Sequence, residues 1–477
     1  MYNGNLQQEY YVLSRVLGTA ESFDPADVAD RVSPLYDDVF LYESAKLDAE
    51  RGRYSIVAFG SLLKFNITSR DTFDTFEDFV LRKHKINFLD QNHGLPKMVG
   101  CFYGYLNYEC AGFFEESISF REKKDVLQAT VGVFVLPKFL IIYDNIEKSI
   151  RFVVTSDSSD FDLLMSEIDD IVSVVHNRSE KMAVNYGNCN LKLPYKNKNS
   201  VVGFEVFSDI SKEEYESSVT KCIEYIKSGD AFQVVPSIGF ACEYGGNHID
   251  FYKTLRTINP SPFMFYVKVD GYSIIGASPE ILVRVKDGVV TIRPLAGTRP
   301  RGKTEAEDLQ NEIDLLRDIK DVAEHTMLLD LGRNDVGRVS VDCTVRVSQK
   351  MIVERYSHVM HISSTVTGEL SPDKTVFDAL KSGFPAGTVT GAPKIRAIEI
   401  VDEVEDFSRS FYGGCVGYIS KNVLDTCITL RSCVIKDGIL YTRAGAGVVF
   451  DSNPTKEYQE CVNKAGAIIK AANFLKH

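Results

Sequence analysis

The first 175 residues alternate short β-rich runs with turns. Examples are Ser55–Phe59, Thr130–Leu136 and Phe139–Tyr143, the last closed by Asp144-Asn145. Phe161 to Val175 carries the spacing of an amphipathic helix. Over 177–211 that order gives way to Asn, Lys, Ser and Gly, a composition that predicts a linker or crossing segment. Order resumes at Ser211, which forms a capping-box pattern with Glu214, after which Tyr215, Val219, Cys222, Ile223 and Ile226 share one helical face. Strands are predicted at 232–235, 263–269, 273–275, 281–285 and 289–292. Thr304 with Glu307 opens a long helix reaching about Asp330. Later strands fall near 342–347, 359–367, 414–420, 426–434 and 438–444, and Asn453-Pro454 starts a final helix running to about Phe474. Pro385–Arg396 is a Gly/Thr-rich loop that leads into Ala392-Pro393 and a helix-like apolar spacing. The mixture predicts an α+β fold with large antiparallel sheets rather than regular βαβ alternation. The predicted organisation is 1–178, a linker at 179–210, and 211–477.

Composition narrows the partners. The 477 residues include 66 acidic against 54 basic side chains, a net charge of −12, which disfavours nucleic acid and anionic membrane surfaces. An anionic substrate therefore needs a local positive site. No run approaches a membrane span and no basic, apolar leader opens the chain, so a cytoplasmic protein is expected. The 10 cysteines lack a C-x-x-C pair, and several sit in apolar runs, as expected of reduced core residues.

The loop before Lys394 offers a helix N-terminus, two hydroxyls and a cation, a combination suited to a carboxylate or phosphate. It does not match the phosphate-loop pattern, which makes a nucleotide the weaker expectation. Asp321 and Glu324 share one helical face, as do Glu457, Glu460 and Lys464 on the last helix. Two such faces can converge on a hard cation such as Mg²⁺, which takes one or two carboxylates and leaves room for water and substrate oxygens. Solvated helix faces are the plainer alternative. Gly445-Ala446-Gly447 lets a ligand approach the backbone, or simply makes a turn. His361 lies in an alternating run, where a core role is commoner than proton transfer. Arg431 interrupts a strand, and a buried arginine there needs an anionic partner.

The order of these motifs resembles the chorismate-utilising enzymes. The resemblance is carried by Gly229–Val235, Ala277–Glu280, Arg293–Pro300, Ala323–Asp335, His358–His361, Pro385–Arg396, Tyr412–Gly414 and Asp451–Glu460. It implies a sandwich of large antiparallel sheets with helices outside. It also implies a magnesium ion held by Glu324 and Glu460, with Glu457 through water, and catalytic roles for Glu280, His361 and Asp321. Substrate contacts would come from Gly297, Thr298, Thr388, Tyr412, Arg431, Gly445, Ala446, Gly447 and Lys464. Relatives that add water carry lysine where this chain has Gln233, and those making aminodeoxychorismate usually carry lysine where it has Ala296. The pair Gln233 and Ala296 is similar to the anthranilate synthase branch, with aminodeoxychorismate synthase as the alternative and a non-catalytic relative as a third reading. In that branch chorismate and ammonia are consumed, with ammonia supplied from glutamine by a separate amidotransferase subunit in a hetero-oligomer. No such glutaminase elbow is present in this sequence. Asp321 departs from the glutamate usual at its position. Leu41–Ser44 and Asn259–Met264 resemble the paired motifs that bind inhibitory tryptophan, which would place Glu43, Ser44, Asn259, Pro260, Ser261, Phe263 and Met264 around it. This chain has Tyr42 and Phe263 there, in place of the usual Leu and Tyr. The chain itself contains 0 tryptophans, a weak hint of an enzyme made when that amino acid is scarce.

Overall fold

The computed structural model describes residues 7–19, 23–45, 52–89, 94–176, 195–356 and 359–475. Alternation of side chains along the strands builds the architecture. Phe40, Ile56, Ala58, Leu140, Ile142, Val267 and Ile274 meet in an interior layer with Tyr103, Tyr105, Val133, Val416, Cys427 and Val434, and strands supply most of that layer. Their neighbours, offset by one residue, face outward into two further cores. Leu41, Val57, Ile141, Tyr266 and Ile435 meet the helices Pro25–Val32, Phe161–His176, Lys212–Lys227, His248–Ile258 and Pro454–Phe474. Phe134, Leu136, Val283, Cys415 and Ile428 meet Arg70–Asp78, Ile319–Gly337 and Val376–Gly383. Two sheet layers thus enclose one core and carry helices on their outer faces, the expected α+β sandwich.

Among the described residues, 21 strands join in one hydrogen-bonded network. Its ladders are antiparallel except where Gln8–Thr19 runs parallel to His84–Phe88. Strands from the first 175 residues pair directly with later ones: Val39–Glu43 lies beside Phe263–Val269, and Phe102–Leu106 beside Cys415–Ile419.

Several sequence expectations change. The runs 130–136 and 139–143 are one strand, Gly132–Asp144, which passes through Pro137 where its partner's register shifts. That irregularity lets one strand serve both outer cores. The polar stretch 197–208, read as linker, contains a hairpin of Asn197–Val201 and Phe204–Ser208 against Ser237–Glu243, while 177–194 lie outside the described residues. The helix expected over 304–330 breaks at Asp318, whose extended backbone and side-chain bonds to Lys320 and Asp321 N–H groups start a second helix, Ile319–Gly337. The stretch 426–434 divides at Arg431, which adopts φ +48°. Of nine described cysteines, all free, only Cys343 is exposed.

Candidate active site

Glu280 is buried between strands Tyr272–Ser278 and Ile281–Lys286, with 5% exposure. Thr388 Oγ1 donates to its Oε2 at 3.2 Å and the Leu295 N–H to its Oε1 at 3.4 Å. No described cation pairs with it, and burial pushes its carboxyl up to about 8, against the weaker pull of Thr388, Leu295 and Arg431. A cavity of about 20 Å³ lies beside it, lined by Thr388, Gly387 and Leu328 among others. A larger one, about 40 Å³, touches neither Glu280 nor Glu324; it shares Tyr412 with the site.

His361 stands on Val359–Glu369, opposite the bulge at Ala296/Thr298 in the facing strand. Gly297, at φ +71°, makes that bulge, and its carbonyl lies 3.0 Å from His361 Nδ1. A carbonyl only accepts, so Nδ1 carries the proton, with Thr298 Oγ1 also 3.0 Å away. Nε2 is then the acceptor and faces Arg431 Nη2 at 3.3 Å. Arg431 makes no ion pair with any described carboxylate, and burial lowers its guanidinium below its ordinary value. A desolvated cation without a protein anion is suited to an anionic ligand.

The acidic side of the site comes from two helices. Glu324, on Ile319–Gly337, accepts from Gln233 Nε2 at 2.8 Å. Its carboxyl is raised chiefly by burial and further by the charges of Asp321 and Glu460. The two helices therefore bring Glu324 and Glu460 within electrostatic reach of each other. Glu457, also raised by burial, is pushed further by Glu460. Glu460 pairs with Lys464 at 2.7 Å, and Lys464 also donates to the Gly445 carbonyl at 2.9 Å. Among the described residues no group of three or more His, Cys, Asp or Glu is placed to hold a metal ion. The protein alone thus offers fewer ligands than the expected trio, but Mg²⁺ needs only one or two carboxylates plus water and ligand oxygens. Glu324, raised chiefly by burial and further by the charge of Glu460 on the other helix, fits such an ion together with that second carboxylate.

Asp321 is elsewhere engaged. It pairs with Arg299 at 2.7 Å, and Arg299 also holds Asp318 at 2.8 Å, so its short side chain is tied to a protein cation. The Pro385–Arg396 loop departs from expectation more. It is a short helix, Gly387–Thr390, followed by a two-residue ladder of Gly391-Ala392 against Gln233-Val234. Pro393 caps the Lys394–Val404 helix from outside its first turn. Lys394 is buried and pairs with Asp335 at 2.8 Å, also donating to the Ser382 and Gly383 carbonyls. Thr390 Oγ1 is spent on the Ala386 carbonyl. The loop is therefore a packed wall rather than a flexible anion cradle, and Thr388 is its contribution to the site. A Cβ on Gly387 would lie 1.9 Å from a terminal methyl of Leu331, so that side chain would have to move.

Gly445, Ala446 and Gly447 line the opposite wall. The Ala446 N–H is used by the Pro236 carbonyl at 3.3 Å, so it is not a spare donor. A Cβ on Gly445 would lie 2.7 Å from the Tyr412 hydroxyl, and one on Gly447 2.6 Å from Gln233 Nε2. Arg409, absent from the sequence reading, anchors this wall. It donates to Val389 and Val235 carbonyls at 2.7 and 2.5 Å and lies over the rings of Tyr108 and Tyr412. No local pattern marks it, because the carbonyls it holds lie 20 and 174 residues away in the chain.

The other paired motifs also meet. Glu43 lies opposite Met264 in the ladder, and the Ala45 N–H donates to the Ser261 carbonyl at 3.1 Å. Glu43 is not an open carboxylate: Tyr252 donates to it at 2.6 Å and Arg256 at 3.0 Å. Asn259 ends the His248–Ile258 helix, Ser261 and Met264 are buried, and Phe263 and Ser44 are half-buried.

Residues 37–470 match the chorismate binding enzyme family. The chain belongs to that family. Among its chorismate-binding relatives, anthranilate synthase component 1 of Acetivibrio thermocellus is 44% identical over 380 residues, covering 79% of this chain and 76% of the relative. That of Acinetobacter calcoaceticus is 38% identical over 483 residues, covering 95% and 94%. The crystal structure of anthranilate synthase component I from Streptococcus pneumoniae superposes with TM-score 0.76 at 31% identity, over 89% of this chain and 93% of that one. A menaquinone-specific isochorismate synthase from Escherichia coli, 19% identical with TM-score 0.72 over 98% and 95%, shares the fold. No helix among the described residues is long and apolar enough to cross a membrane.

Proposed function

We propose that this chorismate binding enzyme is the large subunit of an anthranilate synthase, a lyase that converts chorismate and ammonia to anthranilate and pyruvate. The observation that carries the reading is the Gln233–Glu324 hydrogen bond: an amide, which cannot deprotonate water, occupies the place where a base would be needed to add it. Kinship with the component 1 enzymes supports the same choice.

Chorismate brings two carboxylates and an allylic hydroxyl. Arg431 and Lys464 hold the enolpyruvyl carboxylate from two sides, with Tyr412 and the Gly445–Gly447 wall closing over it. Glu324 and Glu460 would hold Mg²⁺, with Glu457 behind them; when bound, it supplies positive charge to the ring carboxylate. Glu280, protonated at neutral pH, stands as the acid that gives its proton to the departing hydroxyl. Arg431 leaves His361 for the substrate anion and uncovers Nε2. That nitrogen then accepts the proton from the carbon bearing the new amine as the pyruvate C–O bond breaks and the ring aromatises. The Gly297 carbonyl holds the tautomer that permits this.

Ammonia would come from glutamine through a separate amidotransferase subunit in a hetero-oligomer. Tryptophan would bind where Val39–Glu43 meets Phe263–Val269, with Ser44 facing its polar end. The test is to incubate the chain with chorismate, Mg²⁺ and ammonium and to follow the blue fluorescence of anthranilate. The expected result is steady product, lost on chelation or in Glu324→Ala and suppressed by tryptophan. A non-fluorescent aminated product would favour aminodeoxychorismate synthesis, and binding of chorismate without turnover would overturn the enzymatic reading.

A further inference from the structure

Gln233 does more than leave out a base. Its side chain is 2% exposed, and Oε1 has no hydrogen-bond partner among the described residues. Retaining a buried acceptor without a donor is costly, so such an atom points to a ligand that brings one. The orientation of the amide is fixed by its neighbour. Glu324, as a carboxylate, accepts, so the NH₂ group must face it at 2.8 Å and the carbonyl must face away. The backbone cannot drift either. Gln233 pairs with Ala392, the Phe232 N–H donates to the Ala392 carbonyl at 2.8 Å, and the Val234 N–H to the Val448 carbonyl at 3.1 Å. Opposite the amide, Gly447 keeps its side-chain position empty: a Cβ there would lie 2.6 Å from Gln233 Nε2 and 3.5 Å from Glu324 Oε1.

We propose that Gln233 Oε1 is the acceptor that holds and aims the incoming ammonia, an assignment that rests on the reading of the preceding subsection. Ammonia has three N–H donors and one lone pair. A single fixed acceptor takes one N–H and leaves the lone pair to be directed at the ring carbon. As the C–N bond forms and the C–O bond to the departing hydroxyl breaks, nitrogen becomes a substituted ammonium. Its N–H to Oε1 then becomes a charge-assisted bond, stronger than in the ground state. The hydroxyl leaves as water with the Glu280 proton. The ammonium then releases its extra proton as Glu280 is reprotonated, so protons balance over the step. Water at the same acceptor would form a strongly acidic oxonium and find no base there to take its proton.

The test uses the chain with chorismate, Mg²⁺ and a range of ammonium concentrations. In Gln233→Met, KM for ammonia is expected to rise about tenfold or more, with kcat reduced and KM for chorismate within about twofold of the original. An unchanged ammonia dependence, or an equal loss of chorismate affinity, overturns the assignment. Should that variant not fold, Gln233→Lys serves, because water-adding relatives of this fold carry lysine there. It is expected to bind chorismate by calorimetry yet lose ammonia-dependent product more than tenfold, and product at the original ammonia KM would overturn the assignment. Failure of the unmodified chain to make anthranilate would instead refute the functional reading.

Discussion

Two carboxylates, Glu280 and Glu405, are equally hidden from water, each 5% exposed, and they end in opposite states. Glu405 receives Arg409 through two bonds, Nε to Oε2 at 2.9 Å and Nη2 to Oε1 at 2.6 Å, and the Ser237 N–H at 2.7 Å. Burial alone would raise it, but Arg409, with smaller pulls from Arg443 and Lys123, brings it down to about 2. Glu280 has a hydroxyl and one long backbone contact, and burial carries it up to about 8. Burial is therefore not what separates a structural acid from a chemical one. The deciding feature is whether a cation touches the carboxylate. The Glu405 region, through Arg409, clamps Val235 and Val389 in place, while the Glu280 region keeps a proton available beside the wall so clamped.

The contrast predicts different failures. Glu280→Gln keeps shape and neutrality but removes the transferable proton, so turnover should fall about 10²–10⁴-fold with no loss of stability at neutral pH. An active variant would end the acid role. Arg409→Leu should leave Glu405 charged, buried and unpaired, lowering unfolding stability by about 3–5 kcal/mol in urea titrations. A loss below about 1 kcal/mol would mean that water reaches the site.

Stability against pH separates the two regions by sign. Glu405 is depressed from an ordinary 4.5 to about 2, so its contribution is present above pH 4.5 and disappears as pH falls through about 2. Glu280 is raised from 4.5 to about 8, so the folded state binds its proton more tightly. That favourable term is full below 4.5 and is lost as pH rises through about 8. Glu280→Gln should consequently gain on the parent, by a few kcal/mol at most, as pH climbs over this window. Thermal melts across pH check this, and a constant difference would refute it. The smallest effect is expected from Thr388→Val. Losing the hydroxyl that favours the carboxylate form should raise the alkaline limb of the kcat/KM profile while lowering activity about 3–10-fold. A limb displaced to lower pH would reverse the assigned donor.

How much of this was legible in the sequence follows the range of each interaction. Caps such as Ser211 with Glu214 and Asn453 are local, and both stand where expected. The mutual approach of Glu324 and Glu460 follows from helical spacing together with family resemblance. The break at Asp318 was hidden because an aspartate reads equally well inside an acidic helix face and as a cap. The fates of Lys394 and Asp321 depended on Asp335 and Arg299, partners that spacing alone does not assign. Arg409 and the unpaired Gln233 carbonyl were illegible for the same reason: hydrogen bonds over 20 to 174 residues of separation are properties of the fold.

Glu280 keeps its proton at neutral pH because no described cation pairs with it. Infrared difference spectra of the parent against Glu280→Gln report it directly through the carboxylic acid C=O band. The account predicts a protonated-acid band at neutral pH that fades as pH passes about 8. A carboxylate signal at neutral pH, with the acid band emerging only near the ordinary 4.5, would contradict it.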